Sequence, residues 1–142
     1  MPHLTLGPFA VHRDGTLEPR VAERLPAMRF AWRGRRCEAG LSAGGLRLAA
    51  IAARVPSTAE SGADRPRALA AVAVMQGELP QGWQLKLLPD HRIRIETEAS
   101  FPDPPTATSL IACMVRFALA IDPYLDRLDG AGASGTWNTC PG

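Results

Sequence analysis

Lysine is nearly missing from this chain: Lys86 stands alone, and the other 15 basic residues are arginine. With the abundant alanine, that texture points to GC-rich coding; its functional counterpart is an arginine-lined anion site. Cysteine is scarce too. Cys37, Cys113 and Cys140 lie far apart and form no Cys-x-x-Cys pair, which excludes a disulfide framework and the close ligand spacing of a zinc site. His3, His12 and His91 are equally scattered. No Gly-x-Gly-x-x-Gly and no Gly-Lys-Ser/Thr occurs, so neither phosphate-cradling loop is present. Neither sign of charge dominates: 16 basic residues against 14 acidic ones leave +2. That balance makes no electrostatic case for nucleic acid or an anionic membrane. No basic stretch followed by an apolar run opens the sequence, so no signal peptide is expected. The longest apolar stretch, around residues 110–121, is broken by Arg116 and is expected to be too short to span a bilayer. A reduced, cytoplasmic setting follows as the expectation, with no cofactor and no metal.

What is present fits one domain. The 142 residues can bury a sizeable core, and 46% hydrophobic with 21% charged residues is the balance of a folded soluble protein. The charge is unevenly placed. Residues 1–67 hold 11 arginines against 6 acids, whereas residues 68–142 hold 5 basic groups against 8 acids. The two halves are therefore expected to attract, within one fold or between chains.

Along the chain, residues 4–15 read as extended, with bends at Pro8 and Asp14-Gly15. Leu17, Val21 and Leu25 recur at four-residue spacing and predict a short helix over residues 17–25 ended by Pro26; the rival is a hairpin around Asp14-Gly15 with strands 9–13 and 16–20. Met28, Phe30 and Trp32 alternate with Arg29, Ala31 and Arg33, the period of a half-buried strand, and Cys37, Ala39 and Leu41 repeat the pattern after Gly34. Residues 46–55 are alanine-rich, which favours helix, but Gly44-Gly45 before them and Pro56 after them fit a strand that changes face partway. Asp64 and Pro66 start a helix over about 65–77 that is apolar nearly all round, the mark of a buried helix. Leu85 and Leu87, then Ile93 and Ile95, alternate with polar residues about a Pro89-Asp90 turn. Leu110, Met114, Phe117, Ile121, Tyr124 and Leu128 step by three or four residues, with Ile111, Val115 and Ala118 broadening the stripe, and predict a helix over residues 107–128. Residues 129–142 read as a flexible tail. The expected fold is α+β, with an antiparallel sheet packed in two layers against helices: an extended segment 1–16, one domain 17–128 and the tail.

Chemistry-bearing residues are few. Arg29, Arg33, Arg35 and Arg36 cluster at a hairpin and would offer forked donors to an anion; the plainer reading is a solvated turn. Asp90-His91 pairs an acid with a base in sequence, but neighbours in a strand point to opposite faces and no nucleophile is placed beside them. Glu96 and Glu98 share a strand face with Arg92 and Arg94, which makes ion pairs more natural than paired-carboxylate catalysis. Trp32, Trp83, Phe117 and Tyr124 are the candidate anchors, for the core or for an interface.

The segments from Arg67 to Met75, Gly82 to Leu87, Arg92 to Glu96 and Leu110 to Leu128 together resemble the type III secretion chaperone-like fold shared with the YbjN-type bacterial families. The order helix, three strands, helix, two strands, long helix covers residues 17–128. The resemblance implies a non-enzymatic α+β module that often dimerises and binds an extended or amphipathic polypeptide. The mild positive charge departs from the acidic secretion chaperones and favours a YbjN-like relative. The expectation is thus a protein-binding homodimer with no membrane and no nucleic acid among its partners. An anion or nucleic-acid binder using the hairpin arginines is the alternative, and an enzyme with a hidden His91–carboxylate site is the third reading.

Overall fold

The alternating segments beyond residue 26 pair into one antiparallel sheet. In the computed structural model, which describes residues 4–20, 26–42, 45–56 and 64–133, five strands run in the order β4 (Ala27–Trp32), β5 (Arg35–Ser42), β6 (Gly45–Arg54), β8 (Arg92–Ala99) and β7 (Gln84–Leu87). The pattern dictates the register. Phe30 lies opposite Cys37, Cys37 opposite Ala50, Ala50 opposite Ile95, and Ile95 opposite Leu85, so one face carries the apolar set. The other face carries Arg29, Glu38, Ala49, Glu96 and Gln84 in the adjacent row. Residues 46–54 are indeed strand. Its pairing with β8 shifts between Ile51 and Ala53, and the extra residue re-aims the chain so that Ala52, Ala53 and Val55 are all buried.

A second, three-stranded antiparallel sheet precedes it: β1 (Leu4–Leu6), β2 (Phe9–Val11) and β3 (Leu17–Pro19). The helix expected over residues 17–25 is therefore a strand over its first three residues, and residues 21–25 lie outside the described ones. Turn chemistry outweighs the four-residue spacing: the Asp14 carboxylate accepts the Thr16 N–H at 2.9 Å and Gly15 takes φ +88°. This sheet runs across the expected boundary at residue 16. Phe9 and Leu17 are buried in the common core, and the Leu17 N–H donates to the Pro105 carbonyl at 2.8 Å.

Helix α1 (Arg65–Glu78) starts where Asp64 caps the Arg67 N–H at 3.1 Å. It is not buried all round. Only Ala68, Val72 and Met75 are buried, and Val74 is 53% exposed. Its alanines are small enough to face solvent at little cost. Helix α2 (Ala107–Gly130) is capped by Thr106, whose hydroxyl accepts the Ser109 N–H at 3.1 Å. Leu110, Phe117, Ala118, Ile121, Leu125 and Leu128 sink into the sheet. At about 2 kcal/mol for each large side chain, that face is the strongest apolar tie between the layers. The helix outruns the expected end at 128, and residues 131 and 133 are buried alanines, so the tail does not begin at 129. Residues 134–142 lie outside the described ones. With 24 residues α2 is also long and apolar enough to cross a membrane by length and composition, contrary to the expectation from the broken run. Here its buried side serves the core.

Candidate functional site

The four arginines of the β4–β5 hairpin do not act together. Arg33 and Gly34 form the turn in left-handed conformation, φ +52° and +78°, as a two-residue hairpin turn demands. That turn delivers Arg33 to the last half of α2. Its guanidinium meets Asp122 at 3.3 Å, Asp126 at 2.8 Å and Asp129 at 3.6 Å. Arg35 shares the parity of Cys37, Ala39 and Leu41, so it points inward and is 3% exposed. It donates to the Ala52 carbonyl at 3.1 Å, the Arg33 carbonyl at 2.9 Å and the Asp129 carboxylate at 2.7 Å. A buried cation is tolerated when it is both paired and hydrogen-bonded. The expected attraction between a basic first half and an acidic second half is thus realised inside one chain. Arg33 and Arg35 are occupied by protein carboxylates and offer nothing to an external anion.

Arg29 and Arg36 face the other way, onto the uncovered side of the sheet. A shallow groove of about 510 Å³ runs there over Ala49 and Ile51, walled by Arg29, Arg36, Arg92 and Arg94. Arg92 already meets Asp90 at 2.5 Å and Arg94 meets Glu96 at 2.9 Å, and Glu38 stands opposite Arg29. Arg36 stands opposite Ala31, so the groove keeps a net positive charge. Glu96 also takes Lys86 at 2.6 Å, and that hydrogen bond holds its carboxyl pKa below the ordinary glutamate value. Glu98 lies 3.9 Å from Arg47. Both glutamates are ion-paired, as their shared face with the arginines led us to expect.

The aromatic candidates separate into different environments. The Trp32 indole N–H donates to Asp122 at 2.7 Å, tying the edge strand β4 to α2. Phe117 is a core residue, 2% exposed. Trp83, half-buried, stacks on it with ring centres 5.5 Å apart and planes 18° from parallel. Tyr124 packs half-buried against the core from the same helix. These side chains hold the layers together and do not form one exposed patch.

The exposed apolar surface lies elsewhere. Ile111, Val115 and Leu119 are 48%, 51% and 58% exposed on successive turns of α2. The periodicity places Ile111 and Val115 on the sheet-facing stripe; in the structure they project to the opposite side, one turn beyond the exposed Thr108. The signal was readable: residues 111, 115 and 119 recur every four positions, offset from 110, 117 and 121, so the helix is apolar on two faces. Down the same outer side the second half of α2 turns acidic at Asp126 and Asp129, which the hairpin arginines engage.

The Asp90-His91 pair is not brought together, and the one imidazole–carboxylate contact among the described residues is elsewhere, His12 to Glu18 at 2.8 Å on the exposed N-terminal sheet. His91 lies in the β7–β8 turn at φ +69°, and its Nδ1 is 3.3 Å from the Arg65 guanidinium, a cation and not a carboxylate. Asp90 turns away to accept the Arg92 N–H at 3.2 Å. Cys37 is buried, and burial pushes its thiol up to about 11, the reverse of an activated nucleophile. No group of three or more His, Cys, Asp or Glu side chains placed to hold a metal occurs among the described residues. Compared with known proteins, the chain matches no family model, no curated protein and no solved structure.

Proposed function

We propose that this chain is a non-enzymatic, cytoplasmic protein-interaction module of the YbjN-like kind, and that its first partner is a second copy of itself docked along the outer face of α2. One observation carries the reading: three large apolar side chains, Ile111, Val115 and Leu119, stand about half exposed on a helix whose other face is already satisfied by the core. Exposed apolar surface in a contiguous stripe marks an interaction site.

The stripe is self-complementary. Two α2 helices crossing antiparallel about a two-fold axis at Val115 set Ile111 of each copy against Leu119 of the other. From Ile111 to Leu119 the stripe is about 12 Å long. With its flanking residues it offers roughly 300–400 Å² per copy, well below the ~800 Å² per partner of a standard interface. The association is accordingly weak and concentration-dependent, suited to a surface that exchanges one copy for another apolar polypeptide segment. Arg33 and Arg35 are spent on α2, which weighs against an anion site built from the four hairpin arginines together.

Light scattering tests it. The mass-average molecular weight of the wild-type chain rises from monomer towards dimer between about 10 µM and about 1 mM. Val115→Asp holds it at monomer, and Val74→Asp on the exposed side of α1 leaves the rise unchanged. A wild-type mass equal to the monomer over that whole range overturns the proposal.

A further inference from the structure

We propose that the pocket between α2 and the β8 strand binds a small carboxylic acid with an aromatic or compact apolar body. The pocket measures about 230 Å³. Its wall is the Trp83–Phe117 stack, its floor is Leu48, and Ala99, Cys113 and Ala120 supply the small side chains that leave the space open. The backbone N–H of Trp83 donates to the Pro80 carbonyl at 3.1 Å and closes the turn through Gly82 at φ +89°. Thr97, also on the wall, spends its hydroxyl on the Gly82 carbonyl at 3.5 Å. What remains is the usual composition of a ligand site: apolar and aromatic walls with few convergent polar groups.

Two charged residues stand at the rim, Arg116 and Glu98. Glu98 is turned to the Ser42 hydroxyl at 3.4 Å and to Arg47 at 3.9 Å. Arg116 makes no ion pair or hydrogen bond with the described residues. The rim therefore presents one unengaged guanidinium, a fork matched to a single carboxylate. Size sets the body. A dry apolar cavity of ~150 Å³ takes a benzene ring, so this one holds a ring with a two- or three-carbon arm reaching Arg116. A long acyl chain does not fit. Self-association leaves the pocket free, because it opens on the sheet side of α2 and not on the stripe of Ile111, Val115 and Leu119.

The test uses the full chain titrated with 3-phenylpropanoate, followed by proton–nitrogen correlation spectra and by the rate of Cys113 alkylation. Expected is a saturable shift of the Trp83 indole N–H with the Trp32 indole unmoved, and slower alkylation of Cys113. The neutral amide of the same acid binds about ten-fold more weakly, the loss of one charge-assisted hydrogen bond, and propanoate without the ring does not bind. Arg116→Gln weakens the acid about ten-fold and leaves the amide unchanged, which a merely structural role of Arg116 does not produce. Ala120→Leu abolishes binding of both. No saturable shift at Trp83, or the acid still preferred over the amide in Arg116→Gln, overturns the proposal. Arg116 lies on the surface, so that arm stands even if Ala120→Leu disturbs folding.

Discussion

Replacing Asp129 with alanine leaves the most buried charge of the described residues without its carboxylate. Arg35 is 3% exposed, while the Asp129 side chain is 43% exposed. Breaking a fully buried ion pair costs about 3–5 kcal/mol. Three features reduce that figure here. Water reaches the vacated site, and the guanidinium keeps the Ala52 and Arg33 carbonyls at 3.1 and 2.9 Å. Asp129 also stands in the last turn of α2, where a negative charge opposes the helix dipole, so its removal returns a few tenths of a kcal/mol. The net loss is about 2 kcal/mol. Asp126 is the internal control: it pairs at 2.8 Å with Arg33, but its side chain is 68% exposed, and an exposed pair contributes about 0–1 kcal/mol. Urea unfolding at unchanged slope reads both values, and heating reads Asp129→Ala as a fall of about 6–8 °C. An Asp129→Ala chain within about 0.5 kcal/mol of wild type, or an Asp126→Ala chain equally destabilised, refutes the account of this latch.

Other perturbations have defined outcomes. The Cys37 thiol is raised from 9.0 to about 11 by burial, so its contribution is whole below pH 9 and is lost as pH rises through 11. The wild type therefore loses about 3 kcal/mol across that window that Cys37→Ala does not lose, measured as the difference between their stability–pH curves. A Cβ on Gly45 would clash with the Ala99 carbonyl oxygen, a backbone atom of the neighbouring strand. Gly45→Ala accordingly shifts the β6–β8 ladder and costs about 2 kcal/mol in urea unfolding. Thr106→Ala removes the acceptor for the Ser109 N–H and lowers stability by about 1 kcal/mol.

Period-two alternation carries most of the fold. It locates β4, β5, β7 and β8, and Gly44-Gly45 with Pro56 decides for a strand at residues 46–55 against the helix preference of alanine. The same alternation also places Arg35 inside, since it shares parity with Cys37, Ala39 and Leu41. What it lacks is the partner, because Asp129 is 94 residues away in the chain. The acids at 122, 126 and 129 lie on one side of α2 at helical spacing, but only tertiary packing brings the hairpin turn against them. The failure at residue 17 has a local cause, since Leu17, Val21 and Leu25 mimic a helix whereas Asp14 and Gly15 build a turn. At α2 the apolar residues cover two faces, and periodicity alone does not tell which face meets the sheet. That ambiguity hides the candidate interface, and the pocket beneath Trp83 is a property of packing that no local pattern encodes.

The most direct test of the proposed self-association is a distance. With Cys113 and Cys140 replaced by serine and a nitroxide attached at Thr108→Cys, antiparallel pairing about Val115 puts the two labelled backbones about 21 Å apart along the helix axes. A single dipolar distance near that value is expected, broadened by the label arms, and it disappears on dilution and in Leu119→Asp. Absence of any dipolar coupling at high concentration, or a distance that survives Leu119→Asp, contradicts that pairing.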